Sequence, residues 1–136
     1  MKIVIDSNVL FSALIKDSAT RKLILEYDDF FLFPEFIFEE MEKHKEELFK
    51  KSKMENKDFG RLLQIILKKV MIVPNEVLLP HKKEALEIVK SIDLDDAAFI
   101  ACVLAYPNSI LWSDDKKLKK QTKVRVLSTQ EIMNVI

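Results

Sequence analysis

Apolar residues recur along this chain with two different periods, and carboxylates stand where one period gives way to the other. Ile3-Val4-Ile5 is an apolar β-branched run that reads as a buried central strand, and it closes on Asp6. Val9, Leu10, Ala13 and Leu14 then repeat at helical spacing, and Leu23, Ile24 and Tyr27 predict a second short helix over 19–27. Phe30 to Phe33 predicts strand two, ended by Pro34, and Ile37, Met41 and Leu48 form one stripe of a helix over about 35–50. Ser52-Lys53-Met54-Glu55 has the form of a capping box for a further helix, whose face carries Phe59, Leu62, Leu63, Ile66, Leu67 and Val70. Residues 71–73 predict a short strand and 74–80 a loop.

The second half repeats the alternation. Ala85, Leu86 and Val89 are the inward positions of a helix over 82–90, and Ala97 to Ala105 is apolar on every side, which marks a helix buried within the fold. Ile110-Leu111-Trp112 and Val124 to Leu127 predict two more strands, and Ser128-Thr129-Gln130-Glu131 is a second capping box that opens the last helix. Strands alternating with helices at crossover-length connections predict the α/β class, a three-layer α/β/α sandwich with a mostly parallel central sheet, as one domain over residues 1–136.

Composition narrows the function classes. A chain of 136 residues that is 49% hydrophobic and 32% charged can bury a substantial core. With 22 basic and 22 acidic residues the net charge is zero, so a nucleic-acid partner would have to be held by a local patch rather than a global field. The only glycine, Gly60, lies inside a helical pattern, which leaves no glycine for a phosphate-cradling loop and excludes Rossmann and P-loop readings. Cys102, the only cysteine, sits in an apolar run and reads as a core side chain rather than a nucleophile. The opening residues do not have the form of a secretion signal, and the apolar run over 97–107 is too short to cross a bilayer, so the expectation is a soluble cytoplasmic protein with no membrane partner.

The chemistry lies in the acids. Ligands of open α/β sheets bind in the crevice outside the carboxyl ends of the strands, where Asp6 and Asp115 would be delivered. The competing reading of Asp6 is a cap for the next helix. Asp93 and Asp96 are three residues apart and share a face at the start of the buried helix, with Asp95 turned away. Ionised carboxylates held close together raise the pKa of at least one unless a cation lies between them. A donor set of oxygens, without paired cysteines or histidines, selects Mg²⁺ or Mn²⁺ over zinc.

Ile3-Val4-Ile5-Asp6-Ser7-Asn8-Val9-Leu10, Glu40-Met41, Asp93-Leu94-Asp95-Asp96 before an alanine-rich helix, and Trp112-Ser113-Asp114-Asp115 together resemble a PIN domain, in order and over nearly the whole chain. The resemblance implies an acidic quartet of Asp6, Glu40, Asp96 and Asp115 that holds the metal and performs catalysis, with Asp93 as an accessory ligand and Asn8 and Ser113 orienting ligands or substrate. It prefers Asp115 over Asp114, since the family shows a hydroxyl residue, a variable residue and then the acid. It implies metal-dependent hydrolysis of phosphodiester bonds, usually in RNA, and many small members are VapC-type toxins of toxin–antitoxin pairs. An antitoxin protein and a second copy of the chain are therefore open as partners. The chemistry agrees: a divalent ion lowers the pKa of a bound water and neutralises charge on a leaving oxygen, and Glu40 could ligate a second ion or accept the water's proton.

Lys116, Lys117, Lys119, Lys120, Lys123 and Arg125 form a basic block just after Asp115, read either as RNA-phosphate contacts, chiefly Lys116, Lys117 and Lys120, or as a solvated helix face. The lysines of 43–57 read as soluble surface. His44 is one turn after Glu40 and is either a ligand or a solvated side chain, and the phenylalanines over 30–38 read as core ahead of base-stacking surfaces. A haloacid-dehalogenase phosphatase would need a second acid where Asn8 stands, and a response-regulator receiver fits poorly at Val73-Pro74-Asn75. The non-enzyme alternative is a PIN-like module that binds RNA or assembles without catalysis.

Overall fold

In the computed structural model, which describes residues 1–136, the opening apolar run forms β1 (Lys2–Ile5), and Asp6 ends it and begins α1 (Ser7–Ile15). The chain continues through α2 (Ala19–Glu26), β2 (Phe31–Pro34), α3 (Ile37–Ser52), α4 (Asn56–Leu67) and β3 (Val70–Val73). It then forms α5 (Asn75–Leu78), α6 (Lys82–Val89), α7 (Ala97–Ala105), β4 (Ser109–Trp112), β5 (Val126–Leu127) and α8 (Thr129–Met133). Short 3-10 turns stand at Leu79–His81, Leu94–Asp96 and Lys116–Lys120.

The five strands make one parallel sheet in the order β3-β2-β1-β4-β5, so the α/β sandwich predicted as mostly parallel is parallel throughout. Right-handed crossovers that step outward from β1 to β3 put their helices on one face, and the reversed step to β4 puts α5–α7 on the other. The packing agrees: α1 lies against α2 and α3, while α7 lies against α6 and across β1, β2 and β4. The direction of winding thus reverses between β1 and β4. That is the switch point at which an open α/β sheet leaves a crevice at its carboxyl edge.

Register brings the two strand ends level. Ile5 pairs with Trp112, and the amides of Asp6 and Ser113 continue the ladder to the Trp112 and Leu127 carbonyls at 3.2 and 3.0 Å. The core is one cluster of 34 buried residues, with α7 nearly enclosed from Phe99 to Val103, as its unbroken apolarity predicts. Arg21 is also buried, and its guanidinium donates to the carbonyls of Ala13 (2.7 Å) and Leu14 (3.4 Å). It therefore satisfies the last turn of α1 and fixes the helix that begins at Asp6.

Several boundaries depart from the sequence pattern. Helix α3 starts at Ile37 rather than Glu35, because the Glu35 amide extends the ladder to Val73 (3.0 Å) and its carboxylate accepts from the Asn75 amide (2.6 Å). The capping box expected at Ser52 does not form: Lys53 takes the left-handed conformation (φ 58°), and the Ser52 hydroxyl donates to the Phe49 carbonyl, so it closes α3 instead. Val70 opens β3 rather than ending α4. Residues 74–80, expected as a loop, hold α5 and the start of a 3-10 turn, since Pro74 provides an extended cap and Pro80 sits where no amide is needed. The basic block is a 3-10 turn and loop rather than a helix face, anchored by buried Leu118 and by Gln121, whose side chain bonds both Leu118 and Val124. Strand β5 is reduced to two residues.

Candidate active site

Asp6 is fixed from both sides by the local fold. Its Oδ1 accepts from the Val9 amide at 2.8 Å, so the cap reading holds, while the same carboxylate lines the crevice above the sheet. Being 5% exposed, it has its pKa raised by burial, with the Asp114 and Asp115 charges adding to the effect and the Ser113 hydroxyl and Val9 amide opposing it. Ser113 is 1% exposed, and its Oγ also accepts from the Asp115 amide at 3.1 Å. It stands beneath the site and shapes the turn that presents Asp115.

Asp93 and Asp96 arrive from the opposite layer at the start of α7. Asp93 caps the 3-10 turn by accepting from the Asp95 amide at 3.0 Å. Asp96 occupies the cap position of α7 without capping it, and its Oδ2 is buried with no hydrogen-bond partner. Burial and the charges of Asp93, Asp115, Asp6 and Asp95 push its pKa up to about 6. A helix N-terminus favours a carboxylate by about 0.3–1 kcal/mol, and here that is outweighed.

These groups share one cleft of about 860 Å³. Asp6, Asn8, Glu40, Asp93, Asp96 and Asp115 all line it, so five candidate acids and one candidate amide meet there from β1, α1, α3, the start of α7 and the end of β4. Glu40 reaches it from α3 with its Oε2 at 3.3 Å from His44 Nε2. His44 lies behind Glu40, with its Nδ1 3.9 Å from Glu47 and its ring 5.4 Å from that of Phe11. Lys116, Lys117 and Lys120 are exposed on the turn after Asp115 and lie outside the cleft wall, while Lys119 pairs with Glu131.

Asp114, one residue from Asp115, is engaged elsewhere: its carboxylate accepts from the amide (2.7 Å) and hydroxyl (2.6 Å) of Thr129 and secures α8. Phe31 and Phe33 are core, whereas Phe30 and Phe38 are exposed at 48% and 63%. Phe36 and Phe99, ring centroids 5.4 Å apart, form an apolar floor to the cleft. Cys102 is fully buried and its thiol is pushed up to about 12, which removes it from nucleophilic chemistry.

Beyond the candidates, Ser7, Lys43, Asn75, Lys82 and Asp95 also line the cleft; Asp95, expected to turn away from the face of Asp93 and Asp96, lies on the 3-10 turn that precedes α7 and so reaches the same cavity. Lys43 follows Glu40 by three residues on α3, so helical spacing alone places them on one face. Asn75 and Lys82 come to the cleft only through the crossover from β3 to β4, and no local pattern announces them.

The model for the PIN domain matches residues 4–134. This chain belongs to the PIN domain family. A comparison with curated proteins gives no match. PIN domains are generally nucleases and usually use divalent metals. In this PIN domain no three acidic, histidine or cysteine side chains stand in a geometry that would hold one ion as they are placed. The chemistry of the donors nevertheless fits a hard cation: all are carboxylates, burial and the neighbouring negative charges raise the pKa of Asp6 and of Asp96, and Asp96 turns an unpartnered buried oxygen among them. No helix is long and apolar enough to cross a membrane.

Proposed function

We propose that this PIN domain is a divalent-metal-dependent endoribonuclease that hydrolyses RNA phosphodiester bonds with Asp6, Glu40, Asp96 and Asp115. The observation that carries the proposal is the unpartnered, buried Oδ2 of Asp96 within a cleft of mutually repelling carboxylates. Such an arrangement is costly without a cation, and divalent oxygen-bound cations serve phosphodiester hydrolysis.

Asp6, Asp96 and Asp115 would hold Mg²⁺ or Mn²⁺, with Asp93 as an accessory donor. Bound there, the ion would supply an acidified water and neutralise charge on the leaving oxygen. Glu40 accepts the proton of the attacking water, and His44, 3.3 Å away, orients that carboxylate. Ser113 holds Asp6 and Asp115 in register through its hydroxyl, and Asn8 offers its amide to a phosphate oxygen from the first turn of α1. No covalent intermediate is needed, so the strand breaks by direct attack of water.

End-labelled single-stranded RNA incubated with the protein in Mn²⁺, Mg²⁺ or EDTA tests this. Cleavage in metal that stops in EDTA, with no 2′,3′-cyclic phosphate on the products, is the expected result. RNA that stays intact in every condition yet is bound in EDTA would replace the nuclease with an RNA-binding module.

A further inference from the structure

The carboxylates occupy only part of the cleft. The rest is walled by α6 and the turns flanking it, where Leu79 and Leu94 are 67% and 59% exposed and Leu86 is half-buried. Leu79 and Leu94 are the two most exposed leucines of the fold, and both line the same cavity as the acids. Exposed apolar side chains scattered singly need no explanation, but two that face one concave site provide it with an apolar wall.

The cleft also holds two cations, Lys43 on α3 and Lys82 at the start of α6, and neither is ion-paired or hydrogen-bonded through its ammonium. A cavity that combines free ammonium groups, an apolar wall and a cation-seeking acidic centre matches a polymer with anionic links and flat apolar faces. A peptide would meet the lysines only where it happens to carry acidic side chains, whereas a nucleic-acid strand brings an anionic link at every residue.

We propose that Leu79 and Leu94 form a nucleobase subsite beside the acidic centre, with Lys43 and Lys82 seating the neighbouring phosphates, so that this wall sets base preference next to the scissile bond. The proposal rests on the nuclease reading above, and it places phosphate contacts inside the cleft rather than on the Lys116–Lys120 turn. Covering apolar surface of a base and of the two leucines, at about 25 cal/mol per Å², is enough to change affinity by about tenfold. Each phosphate contact adds about 0.7 to the salt slope of single-strand binding, so the two lysines together account for about 1.4.

The test is the affinity of the full chain carrying Asp115→Asn, in Mg²⁺, for labelled single-stranded oligoribonucleotides with one abasic position moved along the strand, read by fluorescence anisotropy. One abasic position should weaken binding about tenfold, and adding Leu79→Ser and Leu94→Ser should erase that penalty at the same position. Lys43→Gln with Lys82→Gln should weaken every strand alike and lower the salt slope by about 1.4. All four side chains are exposed, and thermal melts check that the variants remain folded. An abasic penalty that survives the leucine changes, no penalty at any position, or no binding to any strand overturns the subsite. Binding that follows the expected pattern, from a protein whose unmutated form never cuts RNA in Mn²⁺, removes the nuclease reading and leaves the subsite standing. Cleavage without any abasic effect does the reverse.

Discussion

Asp114 and Asp115 are adjacent in sequence, yet they belong to two regions with opposite electrostatic character. On the Asp114 side every acid has its donors. Both Asp114 oxygens accept from Thr129, whose hydroxyl in turn accepts from the Trp112 indole at 3.0 Å. Glu131 closes a capping box over Ser128, and Lys119 together with the Ser128 donors holds its carboxyl down to about 2. On the Asp115 side the acids face one another, and Asp96 rises to about 6 with one oxygen unpartnered. The same residue type at neighbouring helix starts thus builds the fold in one region and leaves charge uncompensated in the other. Local conflict of that kind is expected where structure serves chemistry.

The largest contrast lies in the adjacent pair itself. Asp115→Asn should lower RNA cleavage by on the order of 10²–10³-fold with little change in stability, because it weakens a donor to the divalent ion that neutralises the charge developing in the reaction. Asp114→Ala should leave cleavage within about threefold and cost about 1–2 kcal/mol of stability, because it strips two hydrogen bonds from the start of α8. Rate assays paired with urea titrations would read both effects. If Asp114→Ala were the inactive variant, the site would have to be rebuilt around the other acid.

Next in size is the response to metal. A divalent ion at a hundred times its dissociation constant should stabilise the wild-type protein by about 2.7 kcal/mol, seen as a rise in Tm that EDTA reverses. Asp96→Asn should lose most of that rise and all cleavage. Without metal, however, it should be more stable than the wild type at pH 7. The displacement of Asp96 from 3.8 to about 6 would correspond to roughly 3 kcal/mol for a fully desolvated carboxyl. Asp96 is only half-buried, and screening reduces the expected gain to about 1 kcal/mol. An Asp96→Asn protein less stable than the wild type in EDTA would show that the acidic region is not strained.

That strain was legible in the sequence only in part. Asp6 could be located because a buried parallel strand must be a short apolar run, and the residue after it must emerge at the sheet edge; the same reasoning brings Asp114 and Asp115 to that edge together, and only the resemblance to the PIN pattern preferred Asp115. Asp96 could be located because Ala97 to Ala105 has no polar face, so the helix has to begin where the acids stop. The capping box at Ser128 formed and the one at Ser52 did not, although both have the same local pattern, since a left-handed Lys53 closed the preceding helix first. Glu35 looked helical by position but was drawn into a contact with Asn75, forty residues away. Lys82 and Leu79 were invisible as site residues for the same reason: a long crossover brings them to the cleft, and no spacing within the chain encodes it.

The two regions should also separate by pH. Folded Asp96 binds its proton more tightly than the unfolded chain does, so between about pH 4 and pH 6 folding takes up a proton and stability falls as pH rises. Glu131 runs the other way: its folded pKa lies below its ordinary value, so its contribution is complete above about pH 4.5 and is lost as pH falls toward 2. Urea midpoints at pH 5 and pH 6.5, without metal, should therefore show Asp96→Asn gaining on the wild type as pH rises, with Glu131 variants parallel to the wild type over the same range. Parallel lines for Asp96→Asn as well would remove the charge conflict from the cleft.

The smallest effect belongs to the best-satisfied acid. Glu131→Gln keeps an acceptor for the Ser128 amide, as glutamine serves a capping box as well as glutamate does, and it loses only the exposed pair with Lys119. Exposed pairs contribute little because water already solvates both charges and salt screens them. The low pKa of Glu131 thus reports good local hydrogen bonding in solvent, and the urea midpoint at pH 7 should stay within scatter of the wild type in low or high salt. Glu131→Ala, which removes the acceptor too, should be measurably weaker, and the difference between the two variants isolates the cap from the charge. A large loss for Glu131→Gln would mean that the C-terminal region also depends on charge rather than geometry, and the contrast with Asp96 would then be one of degree.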